Sequence, residues 1–287
     1  MAFLDDERRL AVSLARTGAD IARRFQRGGT RILRLRNKPL GGGPVTAADE
    51  AVDAHIVGGL RAAFPDDPIV AEESWSETPW TRGGRCWFVD PIDGTREFAR
   101  GTPGWTVQIG LCIDGVPVLG VVAEPAHARL SWACADSPDA NASFSGATET
   151  AAGNVPLGVA ARPLDGLHII GGKLSPFSRQ RQVHKALGIP RDRVHTVGSV
   201  GVRMMSVARG IADCYVQAPG KTKMWDTCPP LPLVLAAGGI VSDLRGRRLD
   251  FSAPPVTHPG GVMACAAEHH ETLLTALRPL ADSWLGD

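Results

Sequence analysis

Neither sign of charge dominates this chain of 287 residues: 31 Lys and Arg stand against 30 Asp and Glu, a net +1 with histidine neutral. Such a balance carries no electrostatic footprint for a nucleic acid polymer or an anionic membrane. The six cysteines, at 86, 112, 134, 214, 228 and 265, show no CxxC spacing. That excludes the pattern of a disulfide framework or a thiolate zinc site, and predicts reduced, mostly buried thiols in a cytosolic protein. No apolar run reaches the roughly 18 residues of a membrane-spanning helix, and the N-terminal stretch lacks the layout of a signal peptide. A soluble, cytoplasmic protein without internal repeats is the expectation. The one basic concentration, Arg23, Arg24, Arg27, Arg31, Arg34, Arg36 and Lys38, reads as a solvated helix end and loop.

What is present is length, core and well-placed acids. The chain suffices for one large domain or two closely fused halves. Leu10, Leu14, Ile21 and Phe25 follow helical spacing over 5–25, with Gly28-Gly29 as the stop. Residues 31–36 are expected as a short edge strand and 41–44 as a loop. Val52, Ile56, Leu60 and Phe64 predict a second helix over 46–64, opening on the capping-box pattern Thr46-Ala47-Ala48-Asp49. A strand at 69–71 runs into Glu72-Glu73, and Cys86-Trp87-Phe88-Val89 is a buried strand expected to end at Asp90. Strands at 106–113 and 116–123 flank the turn Asp114-Gly115, with another at 130–134. The small polar residues of 136–154 read as a loosely structured hairpin or loop.

Beyond a boundary near 156–163, strands at 167–170, 193–197, 212–216, 240–243 and 262–266 alternate with helices at 178–187, 199–209, 225–237 and 269–277. The third helix is read as continuous despite Pro229, Pro230 and Pro232, since a first turn tolerates proline. The pattern predicts a layered α/β (α+β) fold with mixed sheets. An N-terminal half, 1–155, holds most of the candidate acids, and 156–287 completes the site.

Asp49, Glu72, Asp90, Asp93 and Asp226 all lie at element boundaries. Three have ordinary explanations: Asp49 as a helix cap, Glu72 as part of a solvated pair, Asp226 as an acid favoured at a helix start. The segment Asp90-Pro91-Ile92-Asp93-Gly94-Thr95 does not. Two acids in close succession at the end of a buried strand repel unless a cation or proton lies between them. An all-oxygen donor set suits Mg²⁺ or Mn²⁺, and two or more such ions equip a site to hydrolyse a phosphate ester in line. Gly94 and Thr95 offer backbone N–H groups to phosphate oxygens, and the Thr95 hydroxyl can orient or help deprotonate a water.

Together these segments resemble the inositol monophosphatase superfamily of Mg²⁺-dependent, lithium-sensitive phosphatases. The hexapeptide from Asp90 to Thr95 matches its first signature, and Trp225-Asp226 with Ala236-Ala237-Gly238-Gly239 its second. Val45-Thr46-Ala47-Ala48-Asp49 and Ala71-Glu72-Glu73-Ser74 match the intervening pieces. The resemblance implies a five-layered αβαβα sandwich, a homodimer, and two or three Mg²⁺ ions, with Mn²⁺ as a substitute. It makes Glu72, Asp90, the carbonyl of Ile92 and Asp93 the main ligands, with Asp226 on a further ion and near the substrate. Thr95 with Glu72 or Asp49 activates the water, and Asp93, Gly94 and Thr95 hold the phosphate.

Within the superfamily, Thr95-Arg96-Glu97-Phe98, Trp225-Asp226-Thr227-Cys228, and Asp243-Leu244-Arg245-Gly246 followed by Leu249-Asp250-Phe251 are most similar to the 3'(2'),5'-bisphosphate nucleotidases. Gly198-Ser199-Val200-Gly201-Val202-Arg203 resembles that branch's glycine-serine segment, which puts Ser199 and Arg203 at the substrate. One departure is Gly171-Gly172-Lys173-Leu174-Ser175-Pro176, which lacks the branch's Arg-Ser-His triplet and leaves Lys173 and Ser175 as substitutes. The implied reaction converts 3'-phosphoadenosine 5'-phosphate to AMP and phosphate. An inositol-1-phosphate or other sugar-phosphate phosphatase is the alternative with the same apparatus. A catalytically silent metal- and phosphate-binding regulator is the alternative of another class, disfavoured because every acid and Thr95 are present.

Overall fold

The structure is a computed structural model that describes residues 3–29, 34–38, 43–75, 80, 83–139, 141–172 and 179–286. Helix α1 (Asp5–Arg27) leads to a two-stranded antiparallel ribbon, β1 (Arg36–Asn37) with β2 (Pro44–Val45), and then to α2 (Ala47–Ala63). The predicted capping box is formed: Thr46 Oγ1 accepts from the amides of Ala48 and Asp49, and Asp49 Oδ2 accepts from the Thr46 amide at 2.8 Å. Next come β3 (Ile69–Ala71), β4 (Arg85–Asp93), the short α3 (Thr95–Ala99), β5 (Thr106–Ile113), β6 (Val116–Glu124), β7 (Arg129–Ala135), β8 (Phe144–Thr150) and β9 (Gly153–Val155). These strands form one seven-stranded sheet in sequence order, antiparallel except for the parallel β3–β4 pair.

The remainder runs β10 (Ile169–Gly171), α4 (Arg179–Ala186), β11 (Val194–Thr196), α5 (Val200–Ala208), β12 (Cys214–Gln217), α6 (Met224–Thr227), α7 (Leu231–Ala236), β13 (Gly239–Ser242), β14 (Val262–Ala266) and α8 (His270–Leu285). Its strands form a five-stranded mixed sheet ordered β11-β10-β12-β14-β13.

Strand alternation sorts the side chains into three cores. Trp87 and Val89 point outward, against Val52, Ile56 and Leu60 of α2 and Ala15 of α1. Phe88 points inward with Met204, Trp225, Leu233 and Tyr215, so α5, α6 and α7 lie between the two sheets. Val216 and Met263 face Val183 of α4 and Leu273 and Leu277 of α8. The result is the five-layered αβαβα sandwich. All six cysteines are buried and unpaired, and among the described residues no helix is long and apolar enough to cross a membrane.

Four expectations change. The strand expected to stop at Asp90 continues to Asp93. The stretch 136–154 holds a hairpin, one of the two forms expected of it, but a regular one: β8 and most of β9 extend the seven-stranded sheet. The single helix expected over 225–237 is two, α6 and α7, because Pro229 and Pro230 have no N–H to give the carbonyls of the preceding turn. The last helix runs through Pro279 to Leu285. Of the expected edge strand and loop, residues 31–33 and 41–42 lie outside the described residues, and Pro44 belongs to β2.

Candidate active site

A β-bulge places the two central acids. Asp90 pairs with Gln108 and Asp93 with Thr106, so three steps along β4 match two along β5. Residues three apart on a regular strand face opposite sides; one extra residue restores the parity and turns both carboxylates to the same side. Pro91 inside the bulge gives up no ladder bond. Asp226 arrives from α6, where its Oδ2 accepts from the Lys223 amide at 2.8 Å. Carboxylate oxygens of Asp90, Asp93 and Asp226 then lie within 4.8 Å of one another.

This cluster is electrostatically unfavourable by itself. Burial, then the charges of Glu72, Asp93 and Asp226, pushes Asp90 well above the ordinary carboxylate range. Burial and the neighbouring Asp93 and Glu72 do the same to Asp226. Burial raises Asp93 too, against hydrogen bonds from Ser199 and the Gly201 amide that pull it down. Asp90 Oδ1 is buried without a hydrogen-bond partner, and an orphaned carboxylate oxygen beside two more carboxylates is costly. A hard divalent cation fits that oxygen-only donor set.

Glu72 lines the same cavity but is not part of the 4.8 Å group. Its Oε1 accepts from Lys38 Nζ at 2.7 Å, and Lys38 also reaches Glu73 at 2.6 Å. Burial pushes Glu73 up to about 7. Lys38, expected to be solvated, is therefore a half-buried ion-pair partner at the rim of the site.

Thr95 sits between two acceptors: its Oγ1 is 3.1 Å from Asp49 Oδ1 and 3.1 Å from the Ile92 carbonyl. Asp49 serves both ends, capping α2 through Oδ2 and meeting Thr95 through Oδ1, and burial pushes it up to about 6. The Ile92 side chain is in the outer core. Gly94 has φ +94°, and a Cβ there would lie 2.8 Å from the Gly104 carbonyl, so only glycine suits this turn into α3.

Ser199 is fully buried, and its hydroxyl donates to Asp93 Oδ2 at 2.7 Å while accepting from the Val202 amide at 3.0 Å. Among the described residues it faces Asp93, not the cavity. Arg203 lines the cavity with three of its five donors engaged, by the carbonyls of Val197 and Gly198 and by Gln217 Oε1. Lys173 and Ser175 lie outside the described residues. Sequence reasoning missed Gln108, which donates to Asp93 Oδ2 at 2.9 Å; the available signal was a lone amide inside the apolar run Val107-Gln108-Ile109. It also missed Lys221, an exposed residue on the cavity wall.

The sequence model of the inositol monophosphatase family matches residues 5–281. The chain belongs to the inositol monophosphatase family. Proteins similar to it include the histidinol-phosphatase of Mycobacterium tuberculosis, 34% identical over 278 residues that cover 95% of this chain and 98% of that protein. The 3'(2'),5'-bisphosphate nucleotidase CysQ of Salmonella typhimurium is 33% identical over 214 residues, 73% of this chain and 80% of that protein. The inositol monophosphatase from Anabaena (Nostoc) sp. PCC 7120 shares the fold, with a TM-score of 0.74 over 96% of each chain at 23% identity. This family member is a phosphatase for small phosphorylated substrates, in a family that is generally metal-dependent.

Proposed function

We propose that this phosphatase is a Mg²⁺-dependent 3'(2'),5'-bisphosphate nucleotidase that removes the 3'-phosphate of 3'-phosphoadenosine 5'-phosphate. The supporting observation is a cationic wall. The cavity of about 650 Å³ that contains the acids is also lined by Arg96, Arg203 and Lys221. Arg96 and Lys221 are exposed and make no ion pair among the described residues. A phosphate at the acid cluster leaves these cations unmatched; a second phosphate on the same substrate complements them.

In this reading Asp90, Asp93 and Asp226, with Glu72 and the Ile92 carbonyl, hold the ions, and the two halves, 1–155 and 156–287, each supply part of the set. Bound Mg²⁺ supplies Lewis-acid polarisation of the phosphoryl group and a water of lowered pKa. Thr95 would orient the attacking water, taking a proton from it while passing its own hydroxyl proton to Asp49. Asp49, rather than Glu72, is the acid behind Thr95, because it already meets the hydroxyl at 3.1 Å while Glu72 is engaged by Lys38. The backbone N–H groups of Gly94 and Thr95 face the phosphate. Arg203 keeps two donors for the substrate.

A second reading, histidinol phosphate as substrate, is favoured by the 98% coverage of the histidinol-phosphatase relative. Phosphate release from 3'-phosphoadenosine 5'-phosphate, inositol 1-phosphate, fructose 1,6-bisphosphate and histidinol phosphate, with and without Mg²⁺, decides between them. The nucleotide should turn over fastest; a faster rate for histidinol phosphate or inositol 1-phosphate would overturn the assignment. Lys221→Ala should raise KM for the nucleotide about tenfold, the worth of one charge-assisted contact, and leave kcat and the rate on inositol 1-phosphate nearly unchanged.

A further inference from the structure

Gln108 is fully buried in the middle of β5, across the sheet from Asp90. An amide in such a place is costly unless both ends are bonded, and here one end is not: Oε1 has no partner. The bonded end donates to Asp93 Oδ2 at 2.9 Å. The same oxygen accepts from Ser199 Oγ at 2.7 Å and from the Gly201 amide at 2.6 Å. Asp93 Oδ1 receives only a 3.3 Å contact from the Val200 amide. A carboxylate oxygen has two lone pairs, so three donors saturate Oδ2 and leave Oδ1 for the cavity. The surrounding packing keeps this arrangement: a Cβ on Gly201 would lie 2.7 to 2.8 Å from the atoms of the Gln108 amide.

We propose that Gln108 is a positioning residue of the cation site. With Ser199 and the first amides of α5 it holds Asp93 by Oδ2 and so presents Oδ1 as the one ligating oxygen. The inference rests on reading the acid cluster as a divalent-cation site. It also explains why an unsatisfied amide is tolerated where a methionine would pack without an orphaned acceptor: the orientation of Asp93 depends on the donor.

The test compares wild type with Gln108→Met, which keeps the volume and loses the donor. Metal-free protein is titrated calorimetrically with Mg²⁺, and thermal unfolding is followed without metal. Q108M should bind Mg²⁺ at least about tenfold more weakly, as loss of an outer-shell partner does, with a metal-free Tm equal to or above that of wild type. A Kd within twofold of wild type, or a loss of affinity that only follows a lowered Tm, overturns the inference. No Mg²⁺ uptake by wild type itself would overturn the cation reading, and this inference with it. Should Q108M not fold, the structure of Mn²⁺-loaded wild type decides. Asp93 bound through Oδ1 alone supports the proposal; Asp93 bound through Oδ2 or both oxygens refutes it.

Discussion

Asp90 is 1% exposed, and its ionised form has no bond to one oxygen. Its folded pKa lies above its unfolded value near 3.8. In metal-free protein it therefore favours the fold only when protonated, and that contribution is lost as pH rises through the folded pKa. At pH 7.5, where the carboxyl is ionised in the unfolded chain, its burial opposes folding, so Asp90→Asn should raise the metal-free Tm there, with a gain that shrinks as pH falls towards 4. Phosphatase activity of the variant should drop to background. Scanning fluorimetry across pH reads the first effect, and a lower Tm for D90N at pH 7.5 would contradict the account. Thr95 separates positioning from packing. Thr95→Val keeps the shape and removes the hydroxyl, so kcat should fall by about 10² to 10⁴ while KM changes little. A large KM effect with intact kcat would remove Thr95 from the proton path.

At the level of elements, the joint between α6 and α7 explains how Asp226 reaches the sheet. Gly110 on β5 and Gly120 on β6 are cross-strand partners, and both are buried. A Cβ on Gly110 would lie 2.7 Å from Cys228 Sγ, and one on Gly120 only 1.9 Å from the Pro229 carbonyl oxygen. The paired glycines make a flat place where the proline joint rests against the backbone of the sheet. Gly120→Ala cannot be relieved by a rotamer change, because the obstacle is backbone. The cost should be about 3 kcal/mol, the upper part of the overpacking range, with weakened Mg²⁺ binding as Asp226 moves with the joint. Urea unfolding and Mg²⁺ titration measure both; a wild-type midpoint would show that the joint yields freely. The proline rule used on the sequence holds for Pro232, in the first turn of α7. It failed for the pair before it, where two successive missing N–H groups end one helix.

Across the whole molecule, the clustered acids come from two layers: Asp90 and Asp93 from the seven-stranded sheet, Asp226 from a helix between the sheets. A cation shared by them binds only when the layers are assembled, so binding is linked to folding. At a hundred times its Kd, Mg²⁺ should stabilise the protein by about 2.7 kcal/mol. For a chain of this size that corresponds to roughly 5 to 10 °C in Tm. Chelation with EDTA should abolish the shift and the activity together, and added Mg²⁺ should restore both. Persistence of full activity after chelation would contradict the metal reading.

The chain alone determined most of the elements and their sequence, the capping box at Thr46 and Asp49, the burial of the cysteines, and the candidate acids. These depend on local periodicity, on side-chain chemistry, and on motifs whose residues lie close together. Tertiary structure decided what depends on partners far apart in the sequence. The bulge that turns Asp93 to the side of Asp90 is a mismatch of register against β5. The half-burial of Lys38 comes from Glu72 and Glu73, and the fate of Ser199 from Asp93, 106 residues away. Gln108 and the glycines at 110 and 120 looked like ordinary strand residues, because what they touch arrives only when the helices between the sheets are packed.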